Sequence, residues 1–316
     1  MVVDLLFIGL SLLLLFAGAE SLVRGSASLA LRAGLSPLLV GLTIVAFGTS
    51  SPELVVSVEA ALSGQGDISV GNVIGSNSFN IAVILGLTAL VCPIPVHRQI
   101  IRVDAPIALG VAVIMTLLLL DGTVSRVQGI CLVAGLVAYL WMNVKLSRKQ
   151  PELAAAEPVE VPGTGVSRHW GLDLALIIIG LAILVLGSRL LVEHAVSLAR
   201  DLGVSEAVIG LTIVSAGTSM PELATSLVAA FRKQVDIAVG NVIGSNIFNI
   251  LGILGLASIV TPITAPGIGW LDYGAMLLFS ALIIPLLYTG RMLHRVEGAA
   301  LLLLYGGYLA LLWPTA

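Results

Sequence analysis

Apolar runs of about twenty residues recur along the 316-residue chain, each closed by a short polar or Gly/Pro-bearing stretch. A helix of that length crosses the hydrocarbon core of a bilayer. Ten such runs predict ten helical spans, at 3–33, 36–63, 67–92, 100–120, 124–146, 170–200, 205–231, 236–261, 270–290 and 296–314. The first and sixth exceed what a bilayer requires, which predicts tilt or an extension at the surface. The first run precedes an Ala17-Gly18-Ala19 stretch, yet it reads as a membrane helix rather than a cleaved signal. It lacks a basic leading region, and the equivalent stretch from Asp173 to Ser188 sits in mid-chain.

Polar positions interrupt the apolar pattern in an ordered way. Gly41 to Val91 and Gly210 to Val260 align without gaps at an offset of 169, with about 33 of 51 positions identical by direct count. The correspondence extends outward, pairing Asp4 with Asp173, Arg126 with Arg295 and Tyr139 with Tyr308. Each half therefore holds five spans, and an odd number of crossings sends the second half into the membrane from the opposite side. The predicted fold is an all-α polytopic membrane protein of ten transmembrane helices, arranged as two inverted five-helix repeats with broken helices at the centre. The expected divisions are 1–146 for the first repeat, 147–169 for a Pro-containing cytoplasmic linker and 170–316 for the second repeat.

Composition agrees: 58% of residues are hydrophobic, 10% are charged and mean hydropathy is +1.09. A net charge of -3 without a basic block argues against nucleic acid as a partner. Arg32, Arg98, Arg102, Lys145, Arg148, Lys149, Arg168, Arg232, Lys233, Arg291 and Arg295 fall on one predicted side, against Arg126 and Arg200 on the other. The richer side is expected to be cytoplasmic, with both termini outside. Cys92 and Cys131 show no metal or redox spacing.

The repeated block carries the candidate chemistry. In G-T-S-x-P-E, at Gly48 to Glu53 and Gly217 to Glu222, proline removes a backbone donor and crowds the carbonyl four residues earlier, so the helix should break there. Glu53 and Glu222 lie inside apolar spans, where a carboxylate is costly and marks an ion pathway. No Lys or Arg sits at comparable depth in spans two, three, seven or eight. Thr49, Ser50, Thr218, Ser219, Ser76, Ser245, Asn80 and Asn249 add oxygen ligands, a donor set that suits a hard cation such as Ca²⁺. The glycines of G-N-V-I-G-S-N-x-F-N, at Gly71/Gly75 and Gly240/Gly244, predict close helix approach. Asn72, Asn77, Asn241 and Asn246 are candidates for fastening the broken helices. Asp67 and Asp236 read as helix caps, and Glu20 with Arg24 as an interfacial ion pair mirrored by Arg189 and Glu193.

Together the paired G-T-S-x-P-E and G-N-x-x-G-S-N-x-x-N blocks resemble those of the calcium/cation antiporter superfamily, especially its prokaryotic sodium/calcium exchangers, over essentially the whole chain. The resemblance implies alternating access by sliding of the first and sixth spans. It also implies a central diamond of ion sites. Glu53, Glu222, Thr49 and Thr218 would bind calcium. Ser76, Ser245, the carbonyls of Ala46 and Ser215, and Asn80 and Asn249 would enter overlapping sodium sites. Asn249 replaces an aspartate found in some archaeal relatives, leaving two carboxylates. The expected partners are Ca²⁺, Na⁺ and the lipid bilayer, with a monomer allowed. No enzyme activity or cofactor is expected, and the location is a prokaryotic cytoplasmic membrane. Na⁺/Ca²⁺ antiport is the leading reading. Proton-coupled exchange and an uncoupled cation channel are the alternatives.

Overall fold

A computed structural model describes residues 2–149, 169–202, 215–288 and 290–312. The described chain is helical: α1 Val2–Ala33, α2 Pro37–Thr49, α3 Ser51–Leu62, α4 Gly66–Val91, α5 Ile100–Leu118, α6 Arg126–Lys149, α7 Trp170–Asp201, α8 Ser215–Thr218, α9 Met220–Phe231, α10 Val235–Val260, α11 Trp270–Tyr288 and α12 Arg295–Leu312. Among the described residues eight helices are long and apolar enough to cross a membrane, and the bent pair α2/α3 makes a ninth. The first part of the expected span 205–231 lies outside the described residues, as does most of the expected linker. Ser147 to Lys149 continue α6 rather than opening that linker.

Local chemistry explains the helix limits. Pro37 starts α2, and Ser36 Oγ caps it by accepting from Leu39 N–H at 3.2 Å. Between α2 and α3 the axis turns by 46° at Ser50, whose φ and ψ are -82° and 8°. Ser219 adopts nearly the same angles, -87° and 9°, between α8 and α9. In both halves proline follows two residues later. The left-handed turns also repeat: Gly64 and Gly122 have positive φ, and their partners at the 169-residue offset, Lys233 and Arg291, keep that conformation despite carrying a Cβ.

Among the described residues four segments widen into π-helix, at Gly41–Val45, Ile100–Asp104, Asn80–Leu85 and Asn249–Leu254. The last two are repeat equivalents. Sequence periodicity did not anticipate them, because one extra residue in a turn leaves an apolar run apolar.

Among the described residues two short antiparallel ribbons stitch the halves together. β1 Ile94–Pro95 pairs with β4 Met292–Leu293, and β2 Thr123–Val124 pairs with β3 Ile263–Thr264. Each ribbon draws one strand from each half. Helices α4 and α10 occupy the centre, with 78% and 89% of their apolar windows buried, against 11% for α12. Gly240 and Gly244 let α10 touch the backbone of α2, where a β-carbon would lie 2.9 Å from Leu38 O and 2.7 Å from Leu42 O.

Helices α1 and α7 form a pair of their own. Gly18 meets Gly180 and Leu184, and Gly25 meets the carbonyl of Asp173, so the two backbones lie in contact. Leu15, Leu22, Ile177 and Leu184 belong to an apolar cluster separate from the larger core, sharing it with Val40, Val45, Val228 and Ile237. Arg32 donates to the buried Asp173 at 2.9 Å at one end of the pair, and Asp4 lies 3.1 Å from His194 at the other. Glu20 accepts from Arg24, as its spacing predicts, and from Arg232 Nε at 2.9 Å, which ties α1 to the end of α9.

The capping expectation for Asp67 and Asp236 requires correction. Both sit in the first turn of their helices, yet neither caps its own helix. Asp67 Oδ1 accepts from Gly267 N–H at 2.8 Å, and Asp236 Oδ2 lies 3.1 Å from His97 Nε2. Residues already inside the helix point outward across the neighbouring loop. That hydrogen bond raises the His97 pKa above its ordinary value against the opposing effect of burial.

Replacing Gly18 with Val should force α1 from α7 and destabilise the protein by about 1–3 kcal/mol, read as a lower melting temperature in detergent. The raised His97 pKa gives a signed expectation. Stability from the His97–Asp236 contact is fully present below about pH 6.5, the unfolded histidine value, and is lost as pH rises through the folded value. The His97→Gln variant should therefore melt about 1–2 °C below wild type under acidic conditions, with the gap closing in alkaline buffer.

Candidate functional site

The two helix breaks face each other across the centre of the molecule. Glu53 lies in the first turn of α3 and Glu222 in the first turn of α9, each 1% exposed. Each accepts a hydrogen bond from the other half. Ser50 Oγ donates to Glu222 Oε1 at 2.7 Å, and Ser219 Oγ donates to Glu53 Oε1 at 3.1 Å. The serine in each G-T-S-x-P-E therefore serves the opposite glutamate.

Asparagines lock this arrangement from beneath. Asn77 Nδ2 donates to Asn246 O and Asn246 Nδ2 to Asn77 O, both at 3.2 Å. Asn80 Nδ2 donates to Asn246 Oδ1 and Asn249 Nδ2 to Asn77 Oδ1, both at 3.0 Å. The four amides form a closed reciprocal ring between α4 and α10. Because the nitrogens of Asn80 and Asn249 are used within the ring, their side-chain oxygens are left over.

A second pair of asparagines fastens the breaks, as the sequence suggested. Asn72 Nδ2 donates to Glu53 O at 3.1 Å and to Ser57 Oγ at 2.9 Å. Asn241 Nδ2 reaches Glu222 O at 3.4 Å and Ser226 Oγ at 3.1 Å, while Asn241 Oδ1 accepts from Thr49 Oγ1 at 3.1 Å. Ser57 and Ser226 went unremarked in the sequence, although they are identical at the repeat offset, which was the available signal.

Six of the buried oxygens have no hydrogen-bond partner: Glu53 Oε2, Glu222 Oε2, Ser76 Oγ, Ser245 Oγ, Asn80 Oδ1 and Asn249 Oδ1. They are three repeat-related pairs. A buried oxygen without a partner costs roughly 1–3 kcal/mol, and more when charged. The unpartnered hydroxyls of Ser69 and Thr225, by contrast, have no hydroxyl at the repeat offset, where Ala238 and Val56 stand.

The remaining expected residues surround this group. Thr49 ends α2, buried, with its hydroxyl oxygen also lying 3.1 Å from Val45 O and 3.4 Å from Ala46 O. Thr218 ends α8 and is half-buried. Ala46 lies in α2, three residues before Thr49, and Ser215 opens α8. Among the described residues no trio of His, Cys, Asp or Glu could hold a metal ion. An ion at the centre would meet hydroxyl, amide and carboxylate oxygens, a set that favours hard cations over Zn²⁺ or Cu⁺.

Helices long enough to cross a membrane, closing around buried oxygens, define a multi-pass integral membrane protein with a polar centre. The chain belongs to the sodium/calcium exchanger protein family, which matches residues 3–145 and 172–313. That is a family of exchangers, not of enzymes. The chain is 39% identical to the putative antiporter CaxA of Alkalimonas amylolytica over the full length of both. It is also 39% identical to the inner membrane protein YrbG of Escherichia coli K12, covering 96% of this chain and 94% of that one. Among solved structures it superposes on the sodium-calcium exchanger NCX_Mj soaked with 2.5 mM Na⁺ and 0.1 mM Ca²⁺, with a TM-score of 0.83, 31% identity and 98% of each chain covered.

Replacing Asn77 with Ala removes a donor to Asn246 O and the acceptor of Asn249 Nδ2. The variant should lose about 2–4 kcal/mol of stability, since two buried polar groups lose their partners, measured by denaturation of the purified protein.

Proposed function

We propose that this protein is a secondary active antiporter that admits Na⁺ down its gradient and expels Ca²⁺ from the cell, both ions competing for one central site by alternating access. The observation that carries this reading is the three matched pairs of buried, unpartnered oxygens on Glu53/Glu222, Ser76/Ser245 and Asn80/Asn249. Two carboxylates balance one divalent ion, and six oxygens approach the six to eight that Ca²⁺ takes. Thr49, Thr218, Ser50 and Ser219 complete the ligand set, together with the carbonyls of Ala46 and Ser215. Exchange follows from competition, because a site carrying two negative charges resists crossing apolar surroundings until a cation fills it.

Ten crossings in two inverted halves provide the frame, with 1–146 and 170–316 as the repeats and the stretch that follows α6 as the linker. The contacts support that topology. Ser36–Ser147, His97–Asp236, Arg32–Asp173 and the β1–β4 ribbon join residues that a ten-span reading places on one face. Asp67–Gly267, Asp4–His194, Arg126–Val260 and the β2–β3 ribbon join residues that it places on the other. The excess of basic residues makes the first face cytoplasmic and puts both termini outside. The name of the Escherichia coli relative supports the cytoplasmic membrane as the location. One chain supplies every ligand, so a monomer suffices.

The decisive test is uptake of radioactive Ca²⁺ into sodium-loaded proteoliposomes diluted into sodium-free buffer. Uptake should require internal Na⁺ and fall at least a hundredfold in Glu222→Gln, which removes a buried charge that only a cation neutralises. Uptake driven by a pH gradient without Na⁺ would make the protein a proton-coupled exchanger. Flux that persists without any counter-ion would make it a channel.

A further inference from the structure

Pro221 lies four residues after Gly217, so the Gly217 carbonyl lacks the backbone N–H that an uninterrupted helix would supply. It accepts instead from Ser188 Oγ of α7, at 2.6 Å. Ser188 is buried, 4% exposed. One turn further along α7, Val192 packs so closely on Gly217 that a β-carbon there would collide with it. Two residues after Gly217, Ser219 donates to Glu53. A chain of direct contacts thus runs from α7 through the break to one of the two carboxylates.

The other half differs at this point. Pro52 stands four residues after Gly48 and strips that carbonyl in the same way. The residue 169 positions before Ser188 is Ala19, which has no side-chain donor. On Gly48 it is Leu181, again from α7, that provides the covering contact, and it offers only methyl groups.

We propose that Ser188 is a positioning residue for cation binding, holding the break of the seventh span so that Ser219 stays set against Glu53. It does not touch the ion. The Glu53/Ser219 side of the site is held in place before an ion arrives, while the Glu222/Ser50 side, without an equivalent hydroxyl on α1, adjusts on binding. Because α7 packs mainly against α1 and stands apart from the larger core, the same bond links the placement of the α1/α7 pair to the shape of the site. This inference rests on reading the central oxygens as a cation site.

Equilibrium binding of radioactive Ca²⁺ to the purified full-length protein in detergent tests it, alongside thermal unfolding in Ca²⁺-free buffer. Ser188→Ala should raise the Ca²⁺ Kd about fivefold, the effect of one lost buried hydrogen bond, and Ser188→Thr, which keeps a hydroxyl, should stay within twofold of wild type. Pro221→Ala returns a backbone N–H to the Gly217 carbonyl. In that background Ser188→Ala should weaken binding less than twofold, a non-additivity that a general packing defect does not produce. The proposal is overturned if Ser188→Ala lowers the melting temperature but binds Ca²⁺ as wild type does. It is equally overturned if Ser188→Thr binds as weakly as Ser188→Ala, or if the fivefold loss persists beside Pro221→Ala. A wild-type protein that binds Ca²⁺ but shows no Na⁺-driven uptake removes the exchanger reading alone, since Ser188 is judged by binding.

Discussion

Everything at the centre of this protein answers to one electrostatic constraint: two carboxylates are held almost completely out of water in a molecule whose outer surface is hydrocarbon. A lone ion in such surroundings is prohibitively costly unless hydrogen bonds and an opposite charge offset it. The protein supplies part of that offset itself. Each glutamate receives one serine hydroxyl from the opposite half, and its backbone carbonyl is held by an asparagine. The second oxygen of each carboxylate is left without a partner. Satisfying one oxygen fixes the orientation of the side chain, and leaving the other bare preserves its affinity. A fully satisfied carboxylate would be stable and inert.

The asparagine ring follows the same logic by a different route. A primary amide has two kinds of hydrogen-bonding atom, and the ring uses the donors of Asn80 and Asn249 to hold the central helices together. Their oxygens are then fixed in direction with no rotation left to lose. Both residues open a π-helical segment, where the wider turn shifts the register of the side chains that follow. Beside this rigid centre, the α1/α7 pair has its own glycine-mediated interface, and it meets α2, α9 and α10 through an apolar cluster separate from the larger core.

Much of this was legible in the sequence, for identifiable reasons. The repeat offset paired every central residue in advance, and Pro52 and Pro221 located the breaks because a proline's missing N–H is a local property. The glycines at 240 and 244 signalled close approach, and they lie against α2. Their counterpart Gly71 meets only Ile268 among the described residues. What stayed hidden depends on partners distant in sequence. Asp67 and Asp236 look like caps because caps are local, whereas their contacts run to Gly267 and His97 across the fold. Ser188 carries no signal of its own; it stands out only once the stripped carbonyl of Gly217 is seen beside it. Lys233 and Arg291 keep left-handed turns that glycine occupies in the first half, so a sequence search for turn glycines passes over them.

The two β ribbons and the asparagine ring share a property with consequences for biogenesis. Each strand, and each asparagine pair, finds its complement only in the other half. As the chain emerges from the ribosome, its first five helices can insert into the bilayer but have nothing with which to complete the ring, the ribbons or the site. Assembly therefore waits for contacts separated by about 170 residues, the slowest kind to form, and the half-finished protein exposes unpaired polar groups in lipid in the meantime. The same interleaving means that a single copy of the repeat could complete the ring and the ribbons only beside a second copy of itself.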